Sequence, residues 1–428
     1  MDNFIKFFSF SEPNVRFVVI GMILMGIGTA AIGTFAFLRK RSLTGDAVAH
    51  SVLPGICLAF LIFNSKDLWI LLGGAFVTGW ISLAFIDWIT RSTKLKSDTA
   101  IALTLSVFFG IGIMLLTFIQ QTGDASQSGL NNFLLGKAAA MSPSDIETMA
   151  IVSIIILAVL FIFFKEFTLL SFDPDFAKTS GLPVVFLEIT LTTLTVLAVA
   201  SGIQSVGVVL MAAMLITPAA AARYWTDDLK KMLALSMLFA VIGGIAGAYV
   251  SFVNNKMPTG PWIVTVVSLF ALLSILFAPH KGAIPKIFLR KKHSRKVVYE
   301  NVLKVMYHIQ ESEQKETAVT ASAIQQKRQM ATADIRNGIK NLLHKNLIVE
   351  MQEGYRMTAF GLTEAKRIVR LHRLWEMYLT QQLNIASDHV HDDAEAVEHI
   401  ITPEMEKRLI EILGFPEKDP HDKEIPYA

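Results

Sequence analysis

The sequence predicts an all-α polytopic membrane protein of about nine transmembrane helices, followed by a C-terminal cytosolic winged helix-turn-helix and a further helical domain. Three observations predict it. Asp, Glu, Lys and Arg number 31 in residues 1–280 and 44 in residues 281–428, so the first region is membrane-like and the second has the composition of ordinary soluble protein. Apolar stretches of membrane-crossing length recur throughout the first region. The second region reads as three helices and a hairpin, then a long amphipathic helix.

Candidate spans lie near residues 17–38, 46–63, 68–90, 99–119, 146–164, 184–200, 205–222, 231–252 and 261–278. Basic residues cluster on every second connection: Arg39-Lys40-Arg41, Arg91 to Lys96, Lys165 to Lys178, Arg223 to Lys231, and Lys281 onward. Those connections are expected in the cytoplasm, which with nine crossings puts the N-terminus outside and the C-terminal region inside. The short sixth and seventh segments could instead form one broken helix pair. No cleavable secretory signal is read, because the first long apolar run starts near Arg16 and has the length of a full span. Cys57 is the only cysteine, which excludes intrachain disulfides and thiolate-rich zinc or iron–sulfur sites.

Within the second span, Asp46 and His50 stand at i and i+4 and so share one face of a helix. Holding an ionisable group in a bilayer costs about 2.5–3.5 kcal/mol or more, which makes the pair a functional-site hypothesis. Capping would account for Asp46, just after Thr44-Gly45, but not for His50, the only histidine before His280. Together they read as half of a metal site. Further along, Phe172 to Pro183 reads as a short capped helix bounded by Pro and Gly, either a docking element or a solvated connector. Residues 120–145, on the expected outer side, are polar and Gly-rich before the apolar Phe133-Leu134-Leu135-Gly136. Thr217-Pro218 interrupts the seventh span at membrane depth, as a path-lining break or a plain kink.

Ser42 to Gly55 with its Asp-x3-His and Leu-Pro-Gly, Asp98-Thr99-Ala100-Ile101, Leu135-Gly136 with Ser142-Pro143-Ser144-Asp145, Asp173 to Pro183, and Leu215-Ile216-Thr217-Pro218-Ala219 carry a family resemblance. Residues 1–280 resemble the membrane permease of ATP-binding-cassette importers for manganese, zinc and iron. The resemblance implies a bacterial plasma-membrane protein, a homodimeric or heterodimeric pore, a divalent metal ion as substrate, and an extracytoplasmic metal-binding protein that delivers it. It further implies cytosolic ATPase subunits gripping Asp173, Pro174, Asp175, Phe176, Ala177, Gly181 and Leu182. No GxxxxGK[ST] phosphate loop occurs in the chain, which fits a subunit that is not itself the ATPase.

Residues 281–296 read as a basic linker. Val297–Ile309 then reads as an amphipathic helix, with further helices near Ala321–Lys327 and Thr332–Lys345 and a hairpin from Leu347 to Thr358 closed through Gly354. This order is a winged helix-turn-helix over residues 297–365. From Leu362 a long helix carries His372 and Glu376 at i, i+4; after a loop, His391 precedes Glu395, Glu398 and His399. Six nitrogen and oxygen donors in under thirty residues have metal-site spacing, and imidazole with carboxylate suits manganese, ferrous iron or zinc. Residues 297–428 are similar to the diphtheria-toxin-repressor family of metal-dependent regulators, and all six donors fall on that family's ligand motif. The resemblance implies that residues 366–428 bind metal and dimerise, and Glu395, a cysteine in iron-type members, leans towards manganese. Asn301 and Lys304 align where the family draws first-helix ligands, and the third, SH3-like domain is absent, as in manganese-type members. Arg336, Lys340 and Lys345 mark the recognition helix, but Asp334 sits among them and residues 281–428 hold 23 basic against 21 acidic side chains, a weak footprint for nucleic acid. The expected function is a metal permease with a fused cytosolic sensor that regulates transport. The alternative is a membrane-tethered metal-dependent transcriptional regulator, for which nine spans are more than an anchor requires.

Overall fold

A computed structural model describes residues 2–39, 42–65, 67–121, 136, 141–253, 259–279, 281–313, 318–383, 399 and 401–427. Among them the secondary structure is helical apart from one two-stranded sheet. The chain divides into two compact units, residues 1–285 and 286–428.

The first unit opens with α1 (Asp2–Phe8), whose buried Phe7 stacks edge-on against Tyr249. Long helices follow: α2 (Pro13–Leu38), α3 (Ser42–Phe63), α4 (Leu68–Ser92), α5 (Ser97–Gln121) and α6 (Pro143–Ile162). Two short ones, α7 (Phe164–Phe172) and α8 (Pro174–Thr179), precede α9 (Val184–Val206), α10 (Val208–Trp225), α11 (Leu229–Val253) and α12 (Thr259–Phe277). Local chemistry sets the starts: Asp67 accepts from the Trp69 amide at 2.8 Å ahead of α4, and Ser142 and Asp145 cap each other's backbone at α6. The hub is α2, which packs against α6, α9, α10 and α11 and buries Met22, Ala30 and Phe35. Where α3 crosses α4, a Cβ on Gly55 would lie 2.0 Å from the Gly74 carbonyl oxygen. Such small-residue contacts hold helices together in lipid, where burying more Leu gains nothing.

Among the described residues eight helices are long and apolar enough to cross a membrane. The remaining expected span, near 205–222, is α10. It is not a continuation of α9. Glu188, near the start of α9, pairs with Arg39 at the end of α2, while Ala219 and Ala222, near the end of α10, cluster with Phe37 and Leu38. Both far ends thus meet the same end of α2, and the chain reverses at Gly207, whose φ of 88° is the left-handed conformation that glycine tolerates. The apolar stretch before Gly136 lies outside the described residues.

In the second unit the expected linker is helical. Ala283–Glu313 is one helix, α13, because no Gly or Pro follows Pro285 in it and the basic residues there are good helix formers. Next come α14 (Ala321–Lys327), α15 (Thr332–His344), the antiparallel hairpin β1 (Ile348–Met351) and β2 (Gly354–Met357), α16 (Ala359–Leu383) and α17 (Pro403–Leu413). Val302, Leu303, Met306, Ile324, Ile335, Ile339, Leu342 and Ile348 form the core of the winged helix. The amphipathic α15 buries Ile335, Ile339 and Leu342 and exposes Asp334, Arg336 and Lys340.

Candidate metal sites

Because α3 begins at Ser42, Asp46 lies more than a turn inside the helix and does not cap it. His50 Nε2 stands 3.6 Å from Asp46 Oδ1, too far for a good hydrogen bond. For bonds of about 2.1 Å, an ion bridging the two atoms at that separation would subtend roughly 120°. The imidazole meets the Phe109 ring of α5 edge-on at 4.8 Å, and its buried Nδ1 has no hydrogen-bond partner among the described residues. Gly45 is what lets α10 reach this end of α3: a Cβ there would lie 2.4 Å from Leu215 Cδ2, just ahead of Pro218. The Asp46 side chain keeps 40% of its exposure, so the pair is open on one side.

The short α8 is built as its residues dictate. Asp173 Oδ1 accepts from the Phe176 amide at 2.9 Å, Pro174 occupies the first turn, and Gly181, at φ 82°, turns the chain towards α9. Ala177 is buried, and its carbonyl accepts from the Leu182 amide at 3.1 Å. Asp173, Pro174, Asp175, Phe176 and Gly181 are exposed. Phe172 and Phe176 each leave 56% of their surface free, a pair of apolar rings on a rigid polar turn.

In the second unit, three of the six sequence-expected donors are described. On α16, His372 Nε2 lies 3.1 Å from Glu376 Oε1, and both are buried. His399 Nδ1 lies 2.7 Å from Glu300 Oε2, again with both buried. His391, Glu395 and Glu398 lie outside the described residues. Sequence reasoning missed Glu300 by looking to Asn301 and Lys304, yet it is the only carboxylate between Pro285 and Glu311. Asn301 instead accepts from Arg328 at 3.2 Å, and Lys304 is buried. Lys296 Nζ stands 3.6 Å from the other Glu300 oxygen and donates to the His399 carbonyl at 3.0 Å. Among the described residues no group of three or more donors converges. The two carboxylate–imidazole pairs are nevertheless chemically fit for manganese, ferrous iron or zinc, since a carboxylate on one ring nitrogen orients the other towards a metal. A cavity of about 760 Å³ in this unit is lined by Lys304, His308, Glu311, Lys327, Arg328 and Lys423. Burial, aided by the charges of Lys304 and Arg373 and opposed by Glu311, pushes the His308 imidazole down to about 4.

Known proteins share both halves of this architecture. Residues 11–278 match the family described as the ABC 3 transport family. The chain belongs to that family. Residues 358–427 match the iron dependent repressor, metal binding and dimerisation domain. The chain is 40% identical over 377 residues to the manganese transport system membrane protein MntC of Bacillus subtilis, covering 88% of this chain and 86% of that protein. It is likewise 40% identical over 285 residues to the zinc transport system membrane protein TroC of Treponema pallidum, covering 67% and 96%. A solved structure, PsaBC from Streptococcus pneumoniae in complex with Fab, aligns with a TM-score of 0.59 at 33% identity, covering 67% of this chain and 99% of the matched chain. As an ABC 3 member with eight apolar helices of crossing length among its described residues, the chain is a multi-pass membrane protein.

Proposed function

We propose that the chain is the permease subunit of an ATP-driven importer of divalent metal ions, manganese first and iron or zinc after it, with a cytosolic metal sensor fused behind the membrane unit. The Asp46–His50 pair carries this reading: an acid and an imidazole share one face of α3, and a buried ring nitrogen lacks a partner. A second copy of the chain on a two-fold axis would bring the protein donors to four, leaving room for further oxygen ligands around an ion such as manganese. The relatives named for manganese and zinc transport support the substrate class. The exposed rings of Phe172, at the end of α7, and Phe176, on α8, suit a grip by a separate cytosolic ATPase subunit, and an extracytoplasmic metal-binding protein delivers the ion.

The sensor residues on this reading are His372, Glu376, His399 and the unforeseen Glu300, completed by His391, Glu395 and Glu398. A metal bound there supplies a divalent charge that gathers carboxylates and imidazoles into one arrangement. Glu300 holds Nδ1 of His399, so Nε2 is the nitrogen that would ligate the metal.

The test is uptake of radiolabelled manganese by membranes holding the chain with its ATPase and supplied with the extracytoplasmic metal-binding protein. Asp46→Ala and His50→Ala should each abolish uptake while expression and assembly with the ATPase persist. Wild-type uptake by the double variant would reject the assignment.

A further inference from the structure

One ion pair ties the end of α2 to the start of α9. Arg39 Nη2 lies 2.6 Å from Glu188 Oε1, with Arg39 10% and Glu188 28% exposed. The pair stands where three working parts meet. Arg39 terminates α2, and α3, which carries Asp46 and His50, opens at Ser42. Glu188 lies on the first turns of α9, which begins at Val184, directly after the α8 turn. Arg39 also lines a cavity of about 40 Å³ with Thr44, Asp87, Thr192 and Thr195, room for a water or two. Thr44 is two positions ahead of Asp46 on α3 and on a different face of it, so the cavity lies within a turn of the site without including it, at the end of the unit where the basic connections cluster.

A guanidinium this enclosed is stable only while a carboxylate answers it. In place, it repels a cation that leaves Asp46 and His50 in this direction. Displaced, it leaves the Asp87 acid and three hydroxyls as the oxygen donors, of a kind that suits a hard divalent cation, in a cavity otherwise walled by Ile32, Ala36, Leu83, Ile86 and Leu191. We propose that Arg39–Glu188 is the latch of the inner gate and that Asp87, with Thr44, Thr192 and Thr195, is the station through which the ion exits. Movement of α8 by the ATPase draws α9 and Glu188 away from Arg39, and the latch opens. Coupling of this kind needs an element with two discrete arrangements, and a made or broken ion pair is one.

The proposal rests on the importer reading, and one preparation tests both: the full-length chain with its ATPase in proteoliposomes, supplied with the extracytoplasmic metal-binding protein loaded with manganese, with ATP hydrolysis and manganese uptake read from the same sample. Absence of uptake by the wild-type chain would sink the importer reading and the latch with it. With wild-type uptake in hand, Arg39→Gln and Glu188→Gln should keep ATP hydrolysis within about twofold while ions carried per ATP fall roughly tenfold. Exchanging the charges, Arg39→Glu with Glu188→Arg, should recover a substantial part of the ratio. An unchanged ratio in the Gln variants, or an exchange no better than its single parents, overturns the latch. Should the Gln variants fail to assemble, Glu188→Asp keeps the charge and shortens its reach: a lowered ratio supports the latch and an unchanged one overturns it.

Discussion

His308 is an imidazole kept neutral chiefly by burial, with Lys304 and Arg373 adding to the effect and Glu311, 3.4 Å from Nδ1, opposing it. Its folded value of about 4 lies below the roughly 6.5 of an exposed histidine, so protons favour the unfolded chain. The resulting stabilisation is complete above about pH 6.5 and is lost as the pH falls towards 4, by at most about 3 kcal/mol. The thermal stability of the second unit, followed in the full-length protein, should therefore weaken across that window, and His308→Gln should flatten the dependence. Beside it, Arg373 is a buried cation that ties α16 to two other segments, α13 and the C-terminal tail. It bonds Glu311 of α13 at 2.8 Å, stands 3.5 Å from Asp419 and donates to the Glu424 carbonyl of the C-terminal tail. Arg373→Met would leave those partners unanswered, and a loss of about 3–5 kcal/mol is expected, read as a lowered unfolding temperature of that unit.

At the scale of elements, α3 is positioned by contact. The Gly55–Gly74 crossing leaves no room for a methyl group, and the atom in the way is backbone. Gly55→Leu should force α3 from α4 and abolish uptake even where Asp46 and His50 are intact, with reduced protein in the membrane as the accompanying observation. α8 acts by what it exposes. Phe176→Glu places a charge in its apolar surface and should lower co-purification of the ATPase by about tenfold or more, since a desolvated aromatic anchor carries a large share of an interface. Cysteines at Phe176 and Lys178 that never crosslink to the ATPase would refute the assignment.

For the whole molecule, the sensor reading predicts feedback. Binding of cytosolic metal to one arrangement of the C-terminal region shifts its population by the ratio of affinities, and a domain attached to the permease acts at high effective concentration. Truncation after Lys281, or Glu376→Ala with His399→Ala, should leave uptake running at high internal manganese where the intact chain slows. Metal-dependent, sequence-specific operator binding by residues 297–428, with transport unchanged in the truncation, would establish the tethered regulator instead. Zinc should compete with manganese at Asp46 and His50, because nitrogen and oxygen donors rank zinc higher in affinity.

The sequence by itself determined whatever depends on neighbours along the chain. Span positions follow from local composition, the Asp46–His50 and His372–Glu376 pairs from the pitch of a helix, the α8 turn from Asp173, Pro174 and Gly181, and the wing from alternation around Gly354. Tertiary structure alone decided what depends on distant segments meeting. Charge alternation already favours separate crossings for α9 and α10 over one broken pair, and the contact of both far ends with α2 decides between them. Arg39 reaches Glu188 across a separation of 149 positions, and Glu300 reaches His399 across 99. The continuity of α13 overrode a basic stretch that reads as a linker. Periodicity and composition report the face a residue occupies within its own helix, whereas the partner brought to that face is selected by the packing of the whole unit.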